Sequence, residues 1–416
     1  MSSVTPKFAS SAGRQIAFIN TAHSFCHYCL LILPTAVLAM ALPGGPFGAE
    51  YGPILALATG MFVLYGVLSL PQGWLAARIG RRALMAVYFF GTGLSLIACG
   101  LTSSPWTLAA ALAATGAFAA IYHPIGTAML VEAAGDRPGR AIGVNGVFGN
   151  FGVALAPVVT AFLVGRFGWH SAFFVPGALC TLVGVAWLFE PPHDYGARGA
   201  ARPFPVIPRH IVRRAVIVLL LIAVVSGLVF NAFTLLLPKL MQERLATDPR
   251  LLPAIGIAAF VVTLCGALTQ FTVGRLIDRM TLRRVFLPMA IILVPSMAAL
   301  SFLHGWAVLP GAGIVAAVIF GQVTVNETMT ARYISPPMRA RMYSVRFFVG
   351  FLGSAVAAPL VGLLHERTGS LAAVTGTLSV VALITLACAW LFPNRKEELE
   401  PALWETAPPQ QTVAAE

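Results

Sequence analysis

Gly73-Trp74-Leu75-Ala76-Ala77-Arg78-Ile79-Gly80-Arg81-Arg82 returns 201 positions later as Gly274-Arg275-Leu276-Ile277-Asp278-Arg279-Met280-Thr281-Leu282-Arg283-Arg284. Gly73, Leu75, Arg78 and Arg82 reappear as Gly274, Leu276, Arg279 and Arg283. Each copy is a short basic turn between two long apolar runs. Working outward, the echo continues: Leu33-Pro34 closes an apolar run as Leu237-Pro238 does, Arg140 precedes one as Arg341 does, and Pro157 and Pro359 sit late in those runs. Matches in the same order across the chain are the mark of an internal repeat. The two halves are parallel copies of one unit.

Those apolar runs are about the length that crosses a hydrocarbon core, roughly 20 residues. A lone run of that kind must be helical to satisfy its backbone there. The spans read as 16–41, 51–76, 83–102, 106–134, 141–166, 170–189, 213–240, 251–277, 284–304, 306–334, 340–365 and 370–391. Composition agrees: the chain is 58% hydrophobic and 10% charged over 416 residues, where soluble domains carry about 25% charged residues. The expected fold is an all-α membrane protein of twelve transmembrane helices. Two six-helix halves, 1–189 and 213–392, are joined by a linker at 190–212, and a polar, disordered tail covers 393–416. No span is left over for a sizeable soluble domain.

The net charge of +12 would suit nucleic acid, but its placement says otherwise. Of the 27 Lys and Arg, all but Arg166, Lys239, Arg244, Arg250 and Arg367 fall on one side of the predicted spans. That asymmetry is the positive-inside pattern, and it places both termini in the cytoplasm of a bacterial-type inner membrane. The first apolar segment is too long for a signal-peptide core and lacks a small-residue cleavage site. The six cysteines all lie within predicted spans and suggest no extracellular disulfide framework. No Gly-x-x-x-x-Gly-Lys-Ser/Thr stretch occurs, so nucleotide hydrolysis is not the power source, and no enzymatic constellation stands out.

The repeated turn resembles the signature loop of the major facilitator superfamily, and the resemblance covers nearly the whole chain. It implies the twelve-helix major facilitator fold, a central cavity lined by spans one, four, seven and ten, and transport by alternating access. It also implies gating roles for Gly73, Arg78 and Arg82 and for Gly274, Asp278 and Arg279. In the family an Asp of this loop helps a charge-relay lock that closes the cytoplasmic side. Ala77 stands in its place in the first loop and Asp278 keeps it in the second, so more of that lock would fall to the second half. His23-x-x-x-His27 before Leu33-Pro34, Tyr122-His123-Pro124, and Gly149-Asn150-Phe151-Gly152 before Ala156-Pro157 are similar to fosmidomycin-resistance-type drug exporters.

An ionisable group at membrane depth is costly and is by default a functional candidate. His23 and His27, four residues apart, share a face of span one, and His123 lies near the middle of span four. They are candidates for binding a proton or solute. The alternative is plain interhelical hydrogen bonding. Cys26-His27-Tyr28-Cys29 has Cys-x-x-Cys spacing, but one helical turn cannot wrap four ligands around a zinc, and no metal or other cofactor is expected. Glu327 in span ten and Arg346 in span eleven are expected to pair, either as a fixed gate or with Arg346 free to fork onto an anionic solute. Asn231 occupies the place of His27 in the second half, counted back from Pro238 and Pro34, and is a further solute candidate. Asn145, Asn150 and Gln270 are lesser ones.

The expected activity is proton-coupled secondary active transport of a small organic solute, with export by antiport favoured. The alternatives are organic-anion uptake by proton symport, and lipid or amphiphile handling on the same scaffold. The expected partners are the solute, protons and the lipid bilayer, with no nucleic acid, and the protein is expected to be a monomer.

Overall fold

A computed structural model describes residues 11–134, 138–191, 205–245 and 251–404. Most of the linker expected at 190–212 and the chain beyond 404 lie outside the described residues, as do Lys7, Arg137, Arg198, Arg202 and Arg250 of the charge count. The described residues are helical throughout, apart from short turns. Eleven segments are long and apolar enough to cross a membrane: Ala12–Met40, Arg81–Leu101, Pro105–Ala133, Ala141–Phe167, Ser171–Leu188, Arg209–Leu245, Leu252–Ile277, Leu282–Ala299, Gly305–Tyr333, Val345–Thr368 and Ala372–Leu391. The twelfth, span two, is Tyr51–Val67 followed by Gln72–Ile79, bent by 64°.

That bend is the main departure from the single run expected at 51–76, and Pro71 explains it. Proline has no N–H to give the preceding turn, and its ring collides with the carbonyl four residues back. In lipid the freed carbonyls need other donors. Leu70 N–H reaches Val67 O at 3.3 Å, Ser69 Oγ donates to Gly66 O at 2.7 Å, and Gln72 Nε2 donates to Leu68 O at 2.7 Å. Thr272 stands at the equivalent place in span eight, and Leu252–Ile277 runs unbroken. Spans one and four are also broken, at Leu31–Ile32 and at Ala120–Ile121, with Pro34 and Pro124 in the first turn of the piece that follows.

The packing obeys the repeat. Span one packs on five as seven packs on eleven; three on six as nine on twelve; two on four as eight on ten. The halves meet chiefly through two further pairings, span two with eleven and span five with eight, with a smaller contact of span one on span seven. Moving each member on by six exchanges these two pairings, so they are one contact made twice around an approximate two-fold axis.

Close approach of backbones shows where the halves touch. For orientation, the side carrying Arg78, Arg81, Arg82, Arg279 and Arg283 is the basic side. At the other end of the bundle, a β-carbon on Gly52 would lie 2.7 Å from Gly362 O, and one on Gly362 would lie 2.9 Å from Gly52 O. Gly256 likewise would place one 2.6 Å from the Ala161 β-carbon. On the basic side Gly73, Gly143, Gly146 and Gly274 face open space. The bundle is sealed at one end, while at the basic end no hydrogen bond or ion pair joins the two halves among the described residues, and the halves are parted there.

Two boundaries differ from the expectation. The second half begins with helix at Arg209, four residues before 213. The start of the tail is not disordered. Lys396–Glu398 and Pro401–Trp404 are 3₁₀ turns, and Glu398 and Trp404 are buried beneath the basic end of the second half. Trp404 packs near Tyr333, and Glu398 accepts the Tyr333 hydroxyl at 2.5 Å and the backbone N–H of Leu282.

Candidate functional site

Span one is near its mid-depth at His27, and span four carries His123 just after its break, as the second residue of Tyr122–Ala133. The fold brings all three histidines together: a ring nitrogen from each of His23, His27 and His123 lies within 4.8 Å of the others. Because His23 and His27 are separated by four residues, their rings sit one above the other on one helix face. The break in span four turns Tyr122 and His123 toward them.

Hydrogen bonds fix the tautomers. His23 Nδ1 is 2.7 Å from the backbone carbonyl of Asn145; a carbonyl only accepts, so Nδ1 carries the proton and Nε2 presents a lone pair. His27 Nε2 lies 3.1 Å from that Nε2 and therefore donates to it, leaving His27 Nδ1 bare. Asn145 is anchored in turn: its side-chain amide donates to Asn20 Oδ1 at 2.9 Å and to the Tyr122 hydroxyl at 2.8 Å. The Tyr122 ring stacks on His23 at 4.8 Å. Gly149 leaves the room for this, since a β-carbon there would lie 2.6 Å from His23 Nε2. Gly152 has the same role against Ser24 O, at 2.2 Å. The Gly149–Gly152 stretch is thus a seam between spans one and five, and not itself a ligand.

The first half meets the second here. His123 stacks on Phe347 at 5.0 Å, and Tyr65 meets Phe351 edge-on at 4.4 Å. Asn150 Nδ2 donates to Gln270 Oε1 between spans five and eight. Every other polar bridge between the halves, among the described residues, lies at the sealed end. Tyr51 Oη donates to Leu235 O at 3.4 Å, and Gly52 N–H to Glu366 Oε1 at 2.9 Å. Around them His365 bonds Glu243 at 2.6 Å, Lys239 lies 4.0 Å from Glu243, and the Tyr51 ring packs on His365. The histidines therefore stand at the inner end of the parting between the halves.

Glu327 and Arg346 pair directly, as expected. Arg346 also donates to Asn326 O at 3.3 Å and to Thr330 Oγ1 at 3.2 Å. Its side chain is 11% exposed and that of Glu327 is 42%, so the carboxylate is the more open partner. Both belong to the second half, so this pair braces span eleven on span ten and does not bridge the halves. Asn231 is not brought to the histidines. Its amide donates to Gly227 O and to Ser354 Oγ, at 2.8 and 2.7 Å, tying span seven to eleven. Cys26 and Cys29 also turn elsewhere. Cys26 Sγ is 3.1 Å from the Tyr65 hydroxyl, and Cys29 Sγ donates to Cys26 O at 3.2 Å.

The loop residues divide in the same way. Arg82 donates to Leu188 O at 2.9 Å and to Glu190 O at 2.5 Å, Arg81 pairs with Glu132, and Arg14 pairs with Glu190 at 3.1 Å. With Ala77 in place of Asp, the first loop is held by these carbonyls and carboxylates of its own half. Arg78 lies over the Trp74 ring at 3.9 Å. Asp278 ends span eight, its backbone N–H on Gly274 O, and no side-chain hydrogen bond is formed by Asp278 or Arg279 among the described residues. Tyr65, Phe347 and Glu366 were not singled out from sequence. Tyr65 and Phe347 sit inside apolar runs, and nothing local marks them apart from core.

A family profile described as Major Facilitator Superfamily matches residues 24–254 and 245–413. Multidrug resistance protein MdtG of Dickeya zeae (strain Ech586) is 22% identical over 347 residues, covering 82% of this chain and 84% of that protein. The fosmidomycin resistance protein of Escherichia coli (strain K12) is 32% identical over 136 residues, 32% of this chain and 33% of that one. A crystal structure of a bacterial homologue of the human lysosomal transporter Spinster superposes with a TM-score of 0.71 over 91% of this chain and 95% of that one, at 14% identity.

Proposed function

Because this chain belongs to the major facilitator superfamily and is a membrane transporter of that kind, we propose that it moves a small organic solute by proton-coupled alternating access, with export by antiport as its direction. One observation carries the reading: three histidines stand at mid-depth where the two halves meet, at the inner end of a bundle sealed on one side and parted on the other. A site in that position changes sides when the halves rock, as expected for transporters built from repeats. Among the described residues no carboxylate stands among the three rings, so the imidazoles are the groups there able to take up and release a proton. The asymmetry of Lys and Arg supports the basic side as cytoplasmic, in a bacterial-type inner membrane, and on that orientation the parted end opens toward the cytoplasm. The two resistance proteins to which the chain is similar support export.

The test is flux in proteoliposomes under an imposed pH gradient. Accumulation of a candidate solute against its gradient only while protons run the opposite way supports antiport. Accumulation along with protons replaces it with symport. His27→Ala and His123→Ala are each expected to lower coupled flux at least tenfold. Full coupled flux in both removes the histidines from the mechanism. Uptake of an organic anion on Arg346 draws less support, because that guanidinium already serves Glu327, Thr330 Oγ1 and Asn326 O.

A further inference from the structure

We propose that His23, His27 and His123 form a three-histidine site for a borderline transition-metal ion, Zn²⁺ or Co²⁺ being the probes, with a fourth coordination position left to a water or an anionic donor of the solute. This goes beyond the transport reading above and does not depend on proton coupling.

The geometry is the first argument. A tetrahedral site with metal–nitrogen bonds of about 2.0–2.1 Å sets its nitrogens roughly 3.3 Å apart. His23 Nε2 and His27 Nε2 are already 3.1 Å apart, and a nitrogen of His123 lies within 4.8 Å of both. The rings come from two helices, spans one and four, so they converge on one point from different directions. A single helical turn, the reason for setting aside Cys26 and Cys29, does not.

The surroundings are the second. A ligating histidine needs its other nitrogen held by an acceptor so that the metal-facing nitrogen stays bare. His23 meets this through its Nδ1–H bond to Asn145 O, and Asn145 is itself held by Asn20 and Tyr122. For His27 to bind, its proton moves from Nε2 to Nδ1, a change of tautomer with no change in charge.

The donor set selects the ion. Three imidazoles without a carboxylate do not suit Mg²⁺ or Ca²⁺, which take oxygen ligands; they suit zinc, cobalt, nickel and copper. Three neutral ligands also leave the ion's double positive charge uncompensated in a setting of low polarity. An anionic fourth ligand is therefore favoured. The three-histidine site with one position open is also the pattern of catalytic rather than structural zinc.

The test uses the purified full chain in detergent, titrated with Co²⁺ and read by visible absorption. One equivalent giving the intense ligand-field bands of a four-coordinate nitrogen site, bleached by Zn²⁺, is the expected result. Loss of those bands in His23→Ala, His27→Ala and His123→Ala, with weak surface binding unchanged, assigns them to this trio. His123→Asn serves as a variant of near-equal volume, with gel-filtration elution reporting its fold. Bands that persist in the folded variants place the ion on another of the chain's histidines and overturn the proposal, as does the absence of stoichiometric binding to the parent chain.

Discussion

At the scale of single residues, the histidines were legible because a titratable group inside an apolar run is conspicuous, and their spacing of four put two on one face. What they touch was not legible. Nothing in the sequence sets Phe347, Tyr65 and Gly149 against His123, Cys26 and His23, as the fold does. Gly149→Ala tests this most sharply: its methyl would sit on His23 Nε2, so the ring must turn and lose Asn145 O. Overpacking of this kind costs about 1–3 kcal/mol. The expected outcome is a lowered melting temperature together with transport reduced as far as in His27→Ala; wild-type transport would show the ring position to be irrelevant. Arg346→Met leaves Glu327 without its partner, a change worth about 3–5 kcal/mol when such a pair is buried. Because the Glu327 side chain is 42% exposed, solvent screens it and a loss of only about 1 kcal/mol is expected. Thermal unfolding checks it, and Arg346→Lys should restore part of the loss.

At the scale of elements, the long apolar runs announced their helices, but the breaks in spans one, two and four were not read from the sequence, although Pro34, Pro71 and Pro124 stand beside them. A proline signals a lost hydrogen bond; whether the helix curves or bends depends on which donors step in. At Pro157 and Pro359 the helix continues, whereas at Pro71 it turns by 64°. The docked tail was missed because its composition is polar and its two anchors, Glu398 and Trp404, are single residues. Burial pushes the Glu398 carboxyl above its ordinary value, and the bonds from Tyr333 and Leu282 and the charge of Arg332 offset this only in part. The sign follows. A carboxyl raised in the docked state adds its full contribution below the free carboxylate value, about 4.3, and that contribution fades as pH rises through the raised value. Hydrogen exchange at residues 396–404 should therefore quicken as pH rises by more than the intrinsic rate explains. In Glu398→Gln this extra pH dependence should vanish; if it stays, another group holds the tail.

At the scale of the molecule, the repeat found at Gly73 and Gly274 carried nearly everything: the number of spans, the two halves and the pairing of helices by sixes. It could not show which end is sealed, since the repeat is the same whichever end closes. The seal rests on backbones in contact at Gly52 and Gly362, so Gly52→Val should prise that end apart and shift the population toward the other state. A cysteine placed at Gly146, which faces open space, should then react more slowly with a water-soluble maleimide than in the parent background. Unchanged reactivity would mean the two ends are not linked.

The two contacts that join the halves are copies in pairing but not in stiffness. Span five meets span eight as one unbroken rod against another, while span eleven packs mainly on the part of span two before the bend, Tyr51–Val67, and Gln72–Ile79 turns away beyond the joint at Pro71. A door hung on one rigid hinge and one jointed hinge does not swing about its centreline. It pivots on the stiff side and swings widest on the other, so the passage is expected to widen first beside spans two and eleven. Distances measured between paired spin labels across each contact should then change more across two–eleven than across five–eight, and equal changes would restore the symmetric swing.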